Sequence, residues 1–475
     1  MAATRFPNVI LFVLDTARAD AFEPYGAPAG TTPVIAGLAK QGSATQRAIA
    51  PCNWTLPSHA SMFSGLLPGA LGLASSERPR TASGMISRLV LDQHRERLLA
   101  SVLAANGFDT RGVSANPWIT EGNGFATGFA RFASVRGRPI RTGTGLRSRM
   151  ERLLDAWVAR ADDGAGAIEQ ILDSWMDEQP AGPFFWFVNL MECHSPYLPP
   201  RPWNDLGLLG RIRAAREAEE HLTIDAMLRY CLGKHEIPDD ALARMRALYG
   251  RSVSLMDALI GRVAEKLERR GLLSETIIIV TSDHGENLGE NHLVSHLVSM
   301  DERLLRVPLV FSGPGSVPNQ ALVSGAELPR LIAEAAGLPA HPWTDNVRPE
   351  GVAVAQASAE MLLPITEQVS DAWNLSEEAV RDVATTMTSA TDGRWKLVRE
   401  PSGDHLYDLD TDPAERTRMD PGSAPDADAV ARLRSAIDRT LAQTVSPGVD
   451  DAPGPAADAD EQAALEERMR LLGYL

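Results

Sequence analysis

Three short runs hold the side chains with chemistry to offer. The apolar run Asn8-Val9-Ile10-Leu11-Phe12-Val13-Leu14 ends in the carboxylate of Asp15. A second, Thr276-Ile277-Ile278-Ile279-Val280-Thr281, leads into Ser282-Asp283-His284-Gly285-Glu286. Between them, Cys52-Asn53-Trp54-Thr55-Leu56-Pro57-Ser58-His59 sets Thr55 just before a helix start. A hydroxyl there lies among backbone N–H groups without helical partners, where an anion is welcome. The same Thr-x-Pro-Ser pattern also serves as a plain helix cap. Carboxylates and imidazole are hard and borderline metal ligands, and a hydroxyl beside a metal can act as a nucleophile. His194, in Glu192-Cys193-His194-Ser195-Pro196-Tyr197, follows another apolar run. It reads either as a hydrogen-bonded core residue or as a general acid or anion-binding group.

These residues need elements that bring them together. Strand-like runs at 9–14, 110–114, 184–190, 276–281 and 307–311 alternate with helical patterns at 87–106, 167–178 and 239–270. Such alternation predicts an α/β fold, a sheet covered by helices on both faces. Sites in such sheets gather at the carboxyl ends of strands, where Asp15, Asp283 and His284 fall. Segment 201–238 breaks the alternation and contains a helical stretch at 222–232. It reads as a lid over the site or as a surface insertion. Proline and polar residues near 340–350 mark a boundary. Beyond it, 395–399 and 405–409 read as a hairpin turning at Ser402-Gly403-Asp404. The expected organisation is a catalytic domain over 1–340, a small C-terminal α/β subdomain over 341–445, and a linker with a terminal helix over 446–475.

The ordered set of short motifs resembles the sulfatase branch of the alkaline-phosphatase superfamily. The pieces are Asp15-Thr16-Ala17-Arg18-Ala19-Asp20, Thr55-Leu56-Pro57-Ser58, Glu192-Cys193-His194-Ser195-Pro196-Tyr197, Ser282-Asp283-His284-Gly285-Glu286 and Leu305-Arg306-Val307-Pro308. Late pieces are Arg394-Trp395-Lys396-Leu397, Leu406-Tyr407-Asp408-Leu409 and Leu471-Leu472-Gly473-Tyr474-Leu475. The resemblance implies an alkaline-phosphatase-like mixed sheet between helices, with a small C-terminal antiparallel sheet. It implies one divalent metal held by Asp15, Thr55, Asp283 and His284. The imidazole of His284 favours Mn or Zn, with Ca or Mg as alternatives. Where paired aspartates occur in relatives, the second position here is Thr16.

Thr55 stands at the nucleophile position of this family. Sulfatases place there a Cys or Ser that matures to formylglycine within Cys/Ser-x-Pro-x-Arg. This chain has Thr55 first and His59 fifth. No formylglycine is therefore expected, and a threonine nucleophile resembles that of phosphoryl-group transferases in the superfamily. The resemblance makes His194 and His296 catalytic, His296 by touching the ester anion. His59 and Asn116 are candidates for substrate binding. His59 reads equally as a group that orients the nucleophile or caps the helix, and Asn116 as a turn residue. His292, Arg18, Asp20 and Lys396 read as structural.

Bulk properties narrow the field. A net charge of −16 over 475 residues excludes general nucleic-acid binding, though a local metal still permits an anionic substrate. Three cysteines are too few for a disulfide framework, and no apolar run has the length of a membrane span. The expected protein is cytoplasmic, acts on a small anionic ester, and is compatible with a homo-oligomer. Four functions compete: a phosphoester or phosphonate-ester hydrolase working through Thr55, a transferase using the same intermediate, a sulfuric-ester hydrolase, and an inactive ligand-binding pseudoenzyme.

Overall fold

A computed structural model describes residues 6–74, 83–135, 162–178, 182–296, 298–315, 319–344, 351–357 and 386–445. The linker and terminal helix expected over 446–475 lie outside the described residues.

The apolar runs become strands because they are buried on both faces. Strands β1 (Asn8–Leu14), β6 (Phe184–Leu190) and β7 (Thr276–Thr281) are buried along their whole length. With β2 (Ser43–Ala44), β4 (Asp109–Ser114), β5 (Arg131–Ser134) and β11 (Leu309–Ser312) they form one seven-stranded sheet in the order β2-β11-β7-β1-β6-β4-β5. β7, β1, β6, β4 and β5 run parallel, with Leu14 opposite Leu190 and Val13 opposite Thr281. β11 and β2 close one edge antiparallel.

Helices flank this sheet. α1 (Pro33–Gln41), α5 (Ala165–Asp177) and α8 (Asp239–Arg269) pack together, and α2 (Thr55–Ser64) packs with α3 (Ser83–Gln93), α4 (Leu99–Ala105) and α10 (Leu328–Ala335). The N-terminus of α1 is satisfied from α8: Asp257 accepts from the backbone N–H of Ile35 and Val34 at 2.8 and 3.2 Å. All ten residues of α2 are buried, so this helix is a central element.

A second sheet joins β10 (Arg306–Val307), β3 (Arg47–Ile49) and β12 (Leu322–Ser324), and a two-stranded ladder pairs β8 (Asn287–Leu288) with β9 (Val294–Ser295). The C-terminal sheet is antiparallel, in the order β13 (Ala353–Ala357), β14 (Met387–Thr391), β15 (Trp395–Glu400), β16 (Gly403–Asp408). Its alternation serves two cores. Ala353, Ala355, Val398 and Tyr407 pack on Ile49, Met300 and Leu305, whereas Val354, Leu397 and Leu406 pack on Val430, Leu433 and Ile437 of α11 (Ala427–Ala442).

Four expectations need adjustment. The run 307–311 splits at Pro308: β10 pairs with β3 and β11 joins the main sheet, because proline offers no N–H to a ladder. The helix expected over 87–106 is two helices, broken by a 3-10 turn at Arg95–Arg97 and the extended Leu98. Segment 201–238 holds α6 (Leu208–His221) as well as α7 (Ile224–Cys231), because Thr223 Oγ1 accepts from Ala226 N and starts a new helix. The hairpin turn lies at Pro401-Ser402, and Gly403 and Asp404 are already paired with Glu400 and Arg399.

Candidate functional site

Four neighbouring parallel strands end along one edge of the main sheet, and each delivers one piece of the site. β4 leads to Asn116, β6 to His194, β1 to Asp15 and β7 to Asp283 and His284. The N-terminus of α2 meets the segment that follows β7: Ser58 Oγ donates to the Asp283 carbonyl at 2.6 Å. Thr55 is 2 % exposed and is the first helical residue, with Trp54 as an extended N-cap that makes no side-chain cap bond. The Thr55 hydroxyl is turned to the site instead, 3.2 Å from His284 Nε2.

Four imidazoles gather at the site, and the backbone sets their tautomers. His284 Nδ1 lies 2.9 Å from the Gly285 carbonyl, His59 Nδ1 2.9 Å from that of Thr55, His194 Nδ1 3.1 Å from that of Ser195, and His296 Nδ1 3.1 Å from that of Asn53. A carbonyl oxygen only accepts, so each Nδ1 carries the proton and each neutral ring keeps its lone pair on Nε2. His296 lies near two of the others, tilted 39° to His284 at 4.4 Å and edge-on to His194 at 5.8 Å between ring centroids. Burial holds the His194 pKa down at about 4, against its contact with Ser195. His296 is pushed well below the ordinary range, by burial first and then by its two imidazole neighbours.

The two carboxylates are poorly accommodated as they stand. Asp15 and Asp283 are fully buried, and Asp15 Oδ1 and Asp283 Oδ2 have no hydrogen-bond partner. Burial, then the charge of Asp283, drives the Asp15 pKa well up, although Asn116 opposes this by hydrogen bonding. Burial also opposes the charge on Asp283, but His284, His59 and the backbone N–H groups of Thr16 and His284 hold that pKa down. Ligand atoms of Asp15, Asp283 and His284 all lie within 4.8 Å of one another. Two unpartnered buried oxygens beside an Nε2 lone pair, whose ring is oriented by a backbone carbonyl, fit a divalent cation.

Asn116 makes the turn weighed for it and also reaches the site through Asp15. Its Oδ1 accepts from Trp118 N at 2.7 Å, making the turn, and its Nδ2 donates to Asp15 Oδ2 at 2.6 Å. His59 is wholly buried behind Thr55, 3.5 Å from Asp283 Oδ2, and edge-on to Phe63, Phe125 and Phe187. His292 stacks on Tyr230 at 4.1 Å. Arg18 pairs with Asp20 at 2.6 Å and with Glu290 at 2.7 Å.

Two neighbours of the site are absent from the sequence reading of single residues. Asn189, the lone polar residue of β6, accepts from Ser114 Oγ at 3.0 Å and from Asn116 N at 3.2 Å. An amide within an otherwise apolar run was the available signal. Glu286 is 1 % exposed, neither of its carboxylate oxygens has a hydrogen-bond partner, and burial pushes its pKa up to about 8. Its place two residues after His284 did not reveal that it is buried.

A profile for the Sulfatase family matches residues 7–338, and the chain belongs to that family. It is 27% identical over 267 residues to the choline-sulfatase of Rhizobium meliloti (strain 1021), a match covering 51% of this chain and 47% of that protein. It is 30% identical over 200 residues to the arylsulfatase K of Bos taurus, covering 40% and 35% of the two. These matches span about half or less of the relatives' own length. Among solved structures, the phosphonate monoester hydrolase of Agrobacterium radiobacter superposes with a TM-score of 0.62 at 20% identity, covering 92% of this chain and 96% of that one. This last likeness is one of fold. Among the described residues no helix is long and apolar enough to cross a membrane.

Proposed function

We propose that the protein cleaves a phosphoric or phosphonic ester through Thr55 as nucleophile. The observation that carries this reading is the Thr55 hydroxyl, buried at the N-terminus of α2, 3.2 Å from His284 Nε2 and not spent on capping. A divalent ion, Mn or Zn in preference, would be held by Asp15, Asp283, His284 and Thr55; when bound it would favour loss of the Thr55 hydroxyl proton to water and offset the ester's negative charge. Thr55 Oγ then bonds to phosphorus as the bond from phosphorus to the leaving oxygen breaks. The leaving oxygen takes a proton, for which His194 is the candidate donor once its ring has been protonated. His296 faces the non-reacting anion oxygens. Water or an alcohol accepts the group from Thr55, which separates a hydrolase from a transferase.

The names of the sequence relatives favour a second reading, a sulfuric-ester hydrolase. Against it stands the side chain itself: threonine cannot mature to formylglycine, so Thr55 is expected to remain unmodified.

The test offers aryl phosphate, phosphodiester, phosphonate and sulfate esters to the metal-supplemented protein, with acid quench and mass spectrometry of the peptide carrying Thr55. Expected are turnover of a phosphorus ester and a phosphoryl adduct on Thr55. Thr55→Ala should lower kcat on the order of 10⁴-fold or more. Full activity in Thr55→Ala would remove the covalent route. An aldehyde at residue 52 or 55 of the resting protein would restore the sulfatase reading.

A further inference from the structure

Lys396 lies on β15 of the C-terminal sheet, far along the chain from every site residue, and is 1 % exposed. An ammonium has three protons to place. Here two of them find acceptors on two separate segments, the Met300 carbonyl and the Glu415 carboxylate, with Glu302 beside them at ion-pair distance. Nζ donates to the Met300 carbonyl at 2.5 Å, and lies 2.7 Å from Glu415 Oε1 and 3.4 Å from Glu302 Oε1. Glu415 presents its carboxylate from a strained position with φ of 53°. Glu302 is shared with Arg47 at 2.9 Å.

The Met300 carbonyl stands next to the residues that hold the site. Asn53 Nδ2 donates to the Ser299 and His296 carbonyls at 3.1 and 3.0 Å, and His296 Nδ1 donates back to the Asn53 carbonyl at 3.1 Å. Asn53 is two residues ahead of Thr55 in the chain. A buried ion pair is a weak source of stability, because desolvation consumes most of the attraction, and an apolar side chain would fill the same volume. An apolar side chain could not hold a main-chain carbonyl.

We propose that Lys396 is a positioning residue: through Met300, Ser299 and Asn53 it sets the placement of the His296 ring and of the Thr55 hydroxyl, and so makes the C-terminal sheet part of the active site's support. The proposal rests on the reading of His296 as a group that faces the substrate anion.

The experiment uses Lys396→Met/Glu415→Gln, which removes the buried pair together and leaves no orphaned charge. Three things are measured: melting temperature, kcat and KM on the ester the wild type turns over, and the imidazole ¹⁵N resonances, with His296 assigned through His296→Gln. A shift of the His296 resonance is expected while those of His221 and His235 stay in place, with kcat/KM per folded molecule lower by about 10- to 100-fold. In a His296→Ala background the same pair of changes should cost much less, because the group being positioned is gone. An unmoved His296 resonance, or an undiminished loss in that background, overturns the proposal. If His296→Ala alone costs nothing, the reading of His296 fails, and the resonance shift by itself decides for or against Lys396. Should the double variant not fold, Lys396→Arg keeps the charge but displaces the donor from the Met300 carbonyl. It should shift His296 in the same way, and an unshifted ring there overturns the proposal too.

Discussion

At the residue scale the telling feature is that each of the four imidazoles spends its Nδ1 proton on a backbone carbonyl. His194 is the one with consequences for rate. With its pKa near 4 it is neutral at pH 7 and must gain a proton before it can give one. The acid form of a group above its pKa grows tenfold for each unit the pH falls, and kcat/KM reports the free enzyme's pKa values. Comparing an alkyl ester with an activated aryl ester cancels whatever the nucleophile itself titrates. The alkyl-to-aryl ratio of kcat/KM should therefore rise as the pH is lowered from 7 toward 5. His194→Ala should flatten that profile and slow the alkyl ester by on the order of 10²–10⁴-fold, leaving the aryl ester much less affected. Equal losses on both esters would show that His194 binds and does not donate.

At the element scale, parallel strands with both faces covered put their carboxyl ends in a row, and the short segments that follow carry the chemistry. Those segments are held from outside the sheet. Gly285, just past His284, shows how tightly: a Cβ there would lie 1.9 Å from the Arg303 carbonyl oxygen, so no other residue fits without moving the segment. Glu192, just before Cys193 and His194, accepts from the N–H groups of Asp163 and Ala165 at 3.0 Å each, at the start of α5. Burial first, and then Asp163, raise its pKa from 4.5 to about 8. A raised folded-state pKa means the folded protein binds the proton more tightly than the unfolded chain does. The stability this contributes is complete below the unfolded value and is lost as the pH climbs through about 8. Glu192→Gln keeps an acceptor and cannot ionise, so its melting temperature should fall less between about pH 5 and 8 than that of the wild type. Parallel declines in thermal scans would assign the pH dependence to other groups.

At the scale of the molecule, the site is where separate parts of the chain converge: β1, β7, α2 and, through Lys396, the C-terminal sheet. Two buried carboxylates with unpartnered oxygens oppose that convergence, and a divalent cation held between them would relieve it. Ions that bind only the folded state stabilise it by mass action, about 2.7 kcal/mol at a hundredfold excess over Kd. Mn or Zn should raise the melting temperature of chelator-treated protein, and Asp15→Asn should abolish most of the gain. A melting temperature indifferent to every divalent ion tested would count against a cation at Asp15, Asp283 and His284.

Much of this was legible in one dimension. Apolar runs buried on both faces have a composition that only interior strands tolerate, so the α/β sheet and the position of Asp15, Asp283 and His284 at strand ends follow from residue order. The motif Thr55-Leu56-Pro57-Ser58 likewise marks a helix start. What residue order leaves open is which of two local bonding choices a side chain makes. Thr55 capping its own helix and Thr55 facing His284 are spelled identically, and so are Asn116 closing a turn and Asn116 holding Asp15. Burial is also a property of the assembled whole: nothing in the neighbourhood of Glu286 or Lys396 in the chain announces that the first is enclosed beside the site or that the second spans three segments. Those outcomes depend on contacts between residues far apart in the chain, such as Lys396 with Met300, 96 positions away, and Asn53 with Ser299, 246 positions away, and only the tertiary structure decides which acceptor lies within reach of which donor.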